Sequence, residues 1–96
     1  MVINKEDNRG QIPLFLACQN GHIEVVKYLV KHGADTNKEE NNGETSLFYA
    51  CLNGNEDIMQ YLIKQGTYIN KRSINKYNAK IIKLLQRFEN EKRKKV

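Results

Sequence analysis

The sequence predicts an all-α protein built from a repeated pair of short helices. Three observations predict it: an internal repeat with a period of 33 residues, apolar residues spaced three and four apart in each copy, and a glycine after each apolar segment. Between residues 4–36 and 37–69, 15 of 33 positions are identical without a gap. We therefore treat the two segments as copies of one structural unit.

The first helix of each copy is predicted where an apolar face follows a helix-start signal. Pro13 suits the first helical position, because its fixed φ fits a helix and its missing N–H would be unpaired there. Leu14 and Ala17 then lie on one face. Asn20-Gly21 ends this helix, and residues 46–54 repeat the plan.

A second helix follows in each copy. Glu24 lies in its first turn, where a negative charge interacts favourably with the helix dipole, and Gly33 ends it. Gly66 ends the corresponding helix of the second copy. The apolar stripes consist of Val25, Val26, Leu29 and Val30 in the first copy and Ile58, Met59, Leu62 and Ile63 in the second.

Charge is distributed unevenly along the 96 residues. The formal net charge is +5, but residues 1–69 carry a net −3 and residues 70–96 a net +8. An argument for nucleic acid or an anionic membrane as partner therefore applies only to the C-terminal quarter. With 40% hydrophobic and 28% charged residues, we expect one small soluble domain, too short for a deep enzymatic cleft.

We expect a cytoplasmic location, with the nucleus as the alternative because residues 92–95 are all basic. No run approaches the ~18 apolar residues of a membrane span, and the first residues lack the apolar centre of a signal peptide. Cys18 and Cys51 are too few for a disulfide framework and lack metal-site spacing. We expect both to be free and buried.

The repeated unit resembles the ankyrin repeat family. Residues 7–37 follow the family pattern closely, including Gly21-His22, Glu24-Val25-Val26-Lys27 and Gly33-Ala34-Asp35. The resemblance implies a helix-turn-helix solenoid whose copies are joined by short β-hairpin loops. It also implies a role in binding another protein.

The sequence departs from the family at its Thr-Pro-Leu-His box. The two copies read Ile12-Pro13-Leu14-Phe15 and Thr45-Ser46-Leu47-Phe48, so neither has the histidine that links the family's turns by hydrogen bonds. We expect apolar packing of Phe15 on Phe48 to replace it.

Residues 1–73 are assigned to two repeats, about 4–36 and 37–69, and residues 74–96 to a degenerate third repeat or a capping helix with a basic tail. Residues 78–85 resemble the second helix of a third ankyrin repeat. An amphipathic helix is predicted there from the apolar spacing of Ile74, Tyr77, Ile81, Leu84 and Phe88.

Three interpretations of this helix stay open. It caps the stack with its basic face in solvent, it binds a polyanion or an acidic protein through that face, or its apolar stripe is a coiled-coil seam. The basic face consists of Lys76, Lys80, Lys83 and Arg87. Since the stripe is shorter than the three or four heptads of a coiled coil, we expect a monomer with a C-terminal capping helix.

No catalytic constellation is recognised, so we predict no catalytic, metal-binding or cofactor-binding residue and no cofactor. His22 and His32 occupy positions that are structural in the family. The acidic residues near the hairpins are interpreted as a solvated rim; they are Glu6, Asp7, Glu39 and Glu40.

The resemblance implies non-catalytic binding of another protein through a concave surface of hairpin tips and inner ends of the first helices. These positions are Asn8, Arg9, Gln11, Gln19 and Asn20 in the first copy and Lys38, Asn41, Asn42, Glu44, Leu52 and Asn53 in the second. Leu52 replaces the polar Gln19, and it either packs under the C-terminal helix or anchors a partner. The alternative function is an anion-binding module, for nucleic acid or an anionic membrane, acting through the basic C-terminal helix.

Overall fold

The computed structural model describes residues 2–69 and 76–93, which form five α-helices and, within those ranges, no strand. They are α1 (Pro13–Gln19), α2 (Ile23–Lys31), α3 (Ser46–Leu52), α4 (Glu56–Lys64) and α5 (Ala79–Arg93). The helices α3 and α4 begin 33 residues after α1 and α2 begin. The repeat in the sequence is therefore a repeat in structure, and the predicted all-α fold is confirmed.

Local sequence explains where the helices begin. Pro13 occupies the first turn of α1, as predicted. Glu56 and Asp57 lie in the first turn of α4, where their charges interact favourably with the helix dipole. Asn78 caps α5, because its side-chain oxygen accepts a hydrogen bond from the N–H of Ile81 at 2.9 Å.

Tight turns lie where the hairpin loops were predicted. In the first turn, the N–H of Gly10 donates to the carbonyl of Asp7 at 3.0 Å, and the N–H of Asp7 donates to the carbonyl of Gln11 at 2.9 Å. The turn between Glu40 and Glu44 has the same two hydrogen bonds. They close each turn but extend into no β-ladder in the described ranges, so each loop is an isolated turn.

Asparagines at equivalent positions connect successive parts of the stack. The side-chain oxygen of Asn4 accepts a hydrogen bond from the N–H of Asp35, and that of Asn37 accepts one from the N–H of Tyr68, both at 2.9 Å. These two asparagines are one of the identical pairs of the repeat. Their identity follows from a shared role, which is to hold the start of each repeat to the segment that follows its second helix.

The aromatic contact between the repeats differs from the prediction by one residue. Phe15 is fully buried, and its ring meets the ring of Tyr49 edge-on at a centroid separation of 5.8 Å. Phe48 contacts Tyr49 and, on the C-terminal side, Tyr77, at 5.3 and 5.8 Å. The expected packing of Phe15 on Phe48 is therefore wrong, because α3 directs Phe48 toward the chain that precedes α5.

The helix α5 closes the C-terminal side of the stack. Ile81, Leu85 and Phe88 are buried, and Tyr77 and Leu84 are half-buried. The helix packs chiefly against α4. The buried members of its apolar stripe are therefore occupied within the chain, as expected of a capping helix, whereas Leu84 and Tyr77 keep part of their surface accessible.

The register of α5 differs from the register that the sequence suggested. Ala79 follows Ser46 by 33 residues, so α5 begins where the first helix of a third repeat would begin, although the sequence of residues 78–85 resembles a second helix. In space, α5 nevertheless lies beside α4, which is a second helix. The predicted domain boundary at residue 73 and Ile74 of the apolar stripe lie outside the described residues.

Replacing Gly10 with alanine is expected to lower the free energy of unfolding by about 2 kcal/mol. The φ of Gly10 is +78°, and a methyl group there would lie 2.6 Å from the side-chain oxygen of Asn41. Gly66→Ala is the matched control, because its φ is +89° but a methyl group would meet nothing within 4 Å. Urea denaturation followed by circular dichroism should show the larger loss for Gly10→Ala, and equal losses would contradict the close approach of the two turns.

Candidate functional site

Most residues predicted to bind a partner fall into two groups, which we call the two edges of the candidate surface. Asn8, Arg9, Asn41 and Asn42 form the edge of turn tips and are exposed. The edge of inner helix ends consists of Gln19, Asn20, Leu52 and Asn53, of which Gln19 is half-buried and the rest are exposed. Gln11, Lys38 and Glu44 lie at or beside the turns and make contacts within the fold.

The edge of turn tips is held together by Asn41. Its N–H donates to the carbonyl of Arg9 at 2.9 Å, and its side-chain amide donates to the carbonyl of Asn8 at 3.2 Å. The side chains of Arg9 and Asn42 are exposed beside this contact. The second turn is thereby fixed against the first, while the neighbouring side chains remain accessible.

The edge of inner helix ends is held by the corresponding contact of Asn53. Its side-chain amide donates to the carbonyl of Gln19 at 2.7 Å, which ties the end of α3 to the end of α1. Asn20 is the residue equivalent to Asn53 in the first repeat, and it is exposed. Both edges of the surface are therefore fixed by a side-chain amide of the second repeat bonded to the main chain of the first.

Glu44 is not exposed at this surface. It is only 4% exposed, and its carboxylate is paired with Lys76, whose ammonium group lies 5.5 Å from the ring centre of Phe48. The expectation that Glu44 is available to a partner is therefore wrong. The cause is the chain before α5, which brings Lys76 onto the turn from the C-terminal side.

Gln11 and Lys38 are half-buried and already bonded. The side-chain amide of Gln11 donates to Glu40 at 2.7 Å. The ammonium group of Lys38 donates to the carbonyl of Glu39 at 2.9 Å and lies 3.4 Å from a carboxylate oxygen of Glu6. A partner would have to compete with these contacts to reach either side chain.

Glu40 is, like Glu44, an acidic residue whose burial the sequence did not predict. It is only 6% exposed, and one carboxyl oxygen accepts hydrogen bonds from the Gln11 amide and the Tyr49 hydroxyl, both at 2.7 Å. Its other oxygen has no hydrogen-bond partner in the described part of the chain. The interpretation as a solvated rim is wrong for Glu40, although Glu6 and Glu39 are exposed as expected.

Asp7, the residue equivalent to Glu40 in the first repeat, makes different hydrogen bonds. Asp7 occupies the same place in the first turn, and one of its side-chain oxygens accepts hydrogen bonds from the N–H groups of Gln11 and Arg9, both at 2.9 Å. These two bonds lower the pKa of Asp7. Glu40 has one more methylene group, and its carboxyl reaches Tyr49 on α3. The replacement of the turn-capping aspartate by glutamate in the second repeat is the sequence feature that could have indicated the burial of Glu40.

The pKa values of Tyr49, Cys18 and Cys51 are all raised. Burial, followed by the hydrogen bond to Glu40, raises the pKa of Tyr49 to about 12. Burial also raises the pKa of the Cys18 and Cys51 thiols to about 12. Both cysteines are free and buried, as predicted. Their environment favours the neutral thiol, which is a weak nucleophile.

The predicted structural histidines differ in their contacts. His32 stacks on Tyr28 with ring centres 4.0 Å apart, and its Nδ1 lies 2.7 Å from the Tyr28 carbonyl. The N–H of His22, before α2, donates to the carbonyl of Ala17 at 3.0 Å.

Among residues 2–69 and 76–93, no group of three or more His, Cys, Asp and Glu side chains is arranged to hold a metal ion. None of the helices in these ranges is both long enough and apolar enough to cross a membrane.

A groove lies between the C-terminal end of α3 and the start of α5, and we call it the α3–α5 groove. The part between the two helices has a volume of about 260 Å³, and it adjoins a depression of about 420 Å³ that is lined by residues of α5. The first is lined by Cys51, Leu52, Asn53, Gly54, Glu56, Asn78, Lys80, Ile81 and Leu84 and the second by Lys80, Lys83, Leu84 and Arg87. Leu52 is 64% exposed at this groove, so it is not packed beneath α5.

Comparison with known proteins places the repeat in a family. A family model described as "Ankyrin repeats (3 copies)" matches residues 2–75. A stretch of 34 residues is also 50% identical to alpha-latrotoxin-Lt1a of Latrodectus tredecimguttatus. That stretch is 35% of this chain but spans only 2% of the length of the toxin, so this second match concerns one repeat-sized segment.

Proposed function

Because the chain belongs to the ankyrin repeat family, whose repeats generally mediate protein–protein interaction, we propose that it is a non-catalytic module that binds another protein through its turn tips and inner helix ends. The observation that carries the proposal is the pair of contacts made by Asn41 and Asn53, which fix both edges of the surface. A surface that is ordered before binding loses less conformational entropy when a partner arrives.

The exposed side chains of this surface are mainly amides. Asn8, Asn20 and Asn42 each offer a donor and an acceptor, and Arg9 adds a cation. Such groups support directional hydrogen bonds to a polar partner surface, and Leu52 at one end of the surface offers an apolar contact. The proposed partner is therefore a protein surface that is polar over most of the contact.

The double variant Arg9→Glu with Asn42→Lys is expected to reduce partner capture at least ~10-fold, which corresponds to about 1.4 kcal/mol of binding free energy. Both residues are exposed at the turn tips and their main-chain contacts are unaffected. The measurement is quantitative mass spectrometry of proteins retained by the immobilised full chain.

The matched control is Lys31→Glu with Gln65→Lys, which makes the same charge changes at exposed positions near the ends of α2 and α4. Circular dichroism should show that both double variants remain folded. Partners that are retained equally by the two double variants would show that the turn tips are not the binding surface.

The anion-binding alternative depends on the basic face of α5. Lys76 is paired with Glu44, whereas Lys80, Lys83 and Arg87 are exposed. Nucleic acid or an anionic membrane bound at this face would dissociate steeply as salt is raised, because each phosphate contact releases counterions. A protein partner held by amides at the turn tips would show a much weaker salt dependence.

A further inference from the structure

We propose that the α3–α5 groove binds an acidic segment of a partner protein that carries one apolar anchor side chain. The inference rests on the proposed function only in that the partner is a protein. Apart from Leu52 and Asn53, the groove residues are not among the turn-tip and helix-end residues.

The groove exists because α5 does not continue the stacking of the first helices. In the first repeat interface, α1 packs along α3, but α5 packs chiefly against α4. The C-terminal end of α3 is therefore left uncovered on its outer side. Leu52 lies at this end, and it is 64% exposed although the equivalent residue of the first repeat is the polar Gln19.

Apolar side chains contribute to the lining of the groove beside polar ones. Leu84 is half-buried and belongs to both parts of the groove, Ile81 is 7% exposed, and Leu52 stands at the edge. An apolar side chain of a partner that enters between Leu52 and Leu84 would remove the exposed faces of both leucines from water, which is favourable for association.

The rim of the groove is basic. Lys80, Lys83 and Arg87 line it, and Glu56 is the acidic residue that lines it. Lys80 and Lys83 form no ion pair among residues 2–69 and 76–93. Arg87 lies 3.7 Å from Glu91 in an ion pair four residues along the helix, and its guanidinium carbon lies 4.9 Å from the ring centre of Phe88. The rim therefore complements carboxylates.

The length of this basic row favours a short peptide segment over an extended polyanion. Lys80 and Arg87 are separated by about 10 Å along the helix axis at 1.5 Å per residue. Lys76 precedes the helix and is paired with Glu44. A nucleic acid backbone would also leave Leu52 and Leu84 without an apolar contact.

The test is fluorescence anisotropy with the full chain and a labelled ten-residue peptide that contains four glutamates around a central phenylalanine. We expect saturable binding that weakens at least ~10-fold when the peptide phenylalanine is replaced by serine. The variants Leu52→Ser and Lys80→Glu with Lys83→Glu should each weaken binding by a similar factor. Lys80→Arg with Lys83→Arg should retain it, and Lys31→Glu with Lys64→Glu, at two exposed positions outside the groove, is the control for net charge.

Three outcomes would overturn the proposal. They are absence of peptide binding at ~1 mM, equal binding of the phenylalanine and serine peptides, or binding of heparin or phosphatidylserine vesicles that exceeds peptide binding and is unchanged by Leu52→Ser. The last outcome would instead assign the face to polyanions. The variant Arg9→Glu with Asn42→Lys should bind the peptide normally, so failure of the groove is distinguishable from failure of the turn-tip surface.

Discussion

Replacing Phe88 with alanine is expected to lower the free energy of unfolding by about 3–5 kcal/mol. Phe88 is 3% exposed, and together with Ile81 and Leu85 it forms the buried face of α5. A stack of two repeats has one internal interface besides the capped one, so its stability should lie near the low end of the ~5–15 kcal/mol usual for domains. A loss of this size would leave a substantial unfolded fraction without denaturant.

The control for this substitution is Gln86→Ala, which removes an exposed side chain from the same helix and should change stability by less than about 0.5 kcal/mol. Phe88→Leu provides a measurable intermediate with an expected loss of roughly 1 kcal/mol. Urea midpoints measured by circular dichroism give the ranking. If Phe88→Ala and Gln86→Ala unfold at the same urea concentration, α5 does not stabilise the stack.

Replacing Glu40 with alanine is expected to lower the free energy of unfolding by about 2–3 kcal/mol, because hydrogen bonds to a buried carboxyl group are stronger than those between neutral groups. The change leaves the Tyr49 hydroxyl and the Gln11 amide without their shared acceptor. Urea denaturation of the single variants Glu40→Ala and Tyr49→Phe and of the double variant should show a coupling of about 1–2 kcal/mol.

Glu39→Ala is the matched control, because this neighbouring glutamate is exposed. The variant should lose less than about 1 kcal/mol of the free energy of unfolding.

Alkaline pH supplies a second readout of the contact between Glu40 and Tyr49. The pKa of Tyr49 is raised from 10.0 to about 12, so the folded state keeps a proton that the unfolded state releases. The resulting stabilisation is complete below pH 10 and is lost as the pH rises through 12; Tyr49→Phe should remove this contribution. A coupling near zero would show that Glu40 and Tyr49 do not act together.

The helices of the two repeats could be predicted closely from the sequence. The period of 33 and the stop signals at Asn20-Gly21 and Asn53-Gly54 are local features, and α1 and α3 end where those signals stand. The sequence could not distinguish Phe48 from Tyr49 as the residue that contacts Phe15, because both are aromatic. Adjacent residues of a helix point about 100° apart, so the choice depends on the rotation of α3 about its axis.

The burial of individual turn residues was less predictable. Glu40 and Glu44 belong to a turn that is polar in sequence, and their exposure depends on which groups pack against it from each side. Gln11 and Tyr49 reach Glu40, whereas Lys76 reaches Glu44 from 32 positions along the chain. A linear pattern identifies a turn, but the position of a distant lysine follows only from how α5 is placed.

The contacts of Asn41 and Asn53 fix the geometry of the surface without involving the side chains of the residues that they contact. Both amides donate to main-chain carbonyls, those of Asn8 and Gln19, and every residue type supplies such a carbonyl. The side chains at positions 8 and 19 can therefore be exchanged without loss of these two contacts. A chain of this kind can acquire a new partner by substitution at those positions while the geometry of its two repeats is inherited unchanged.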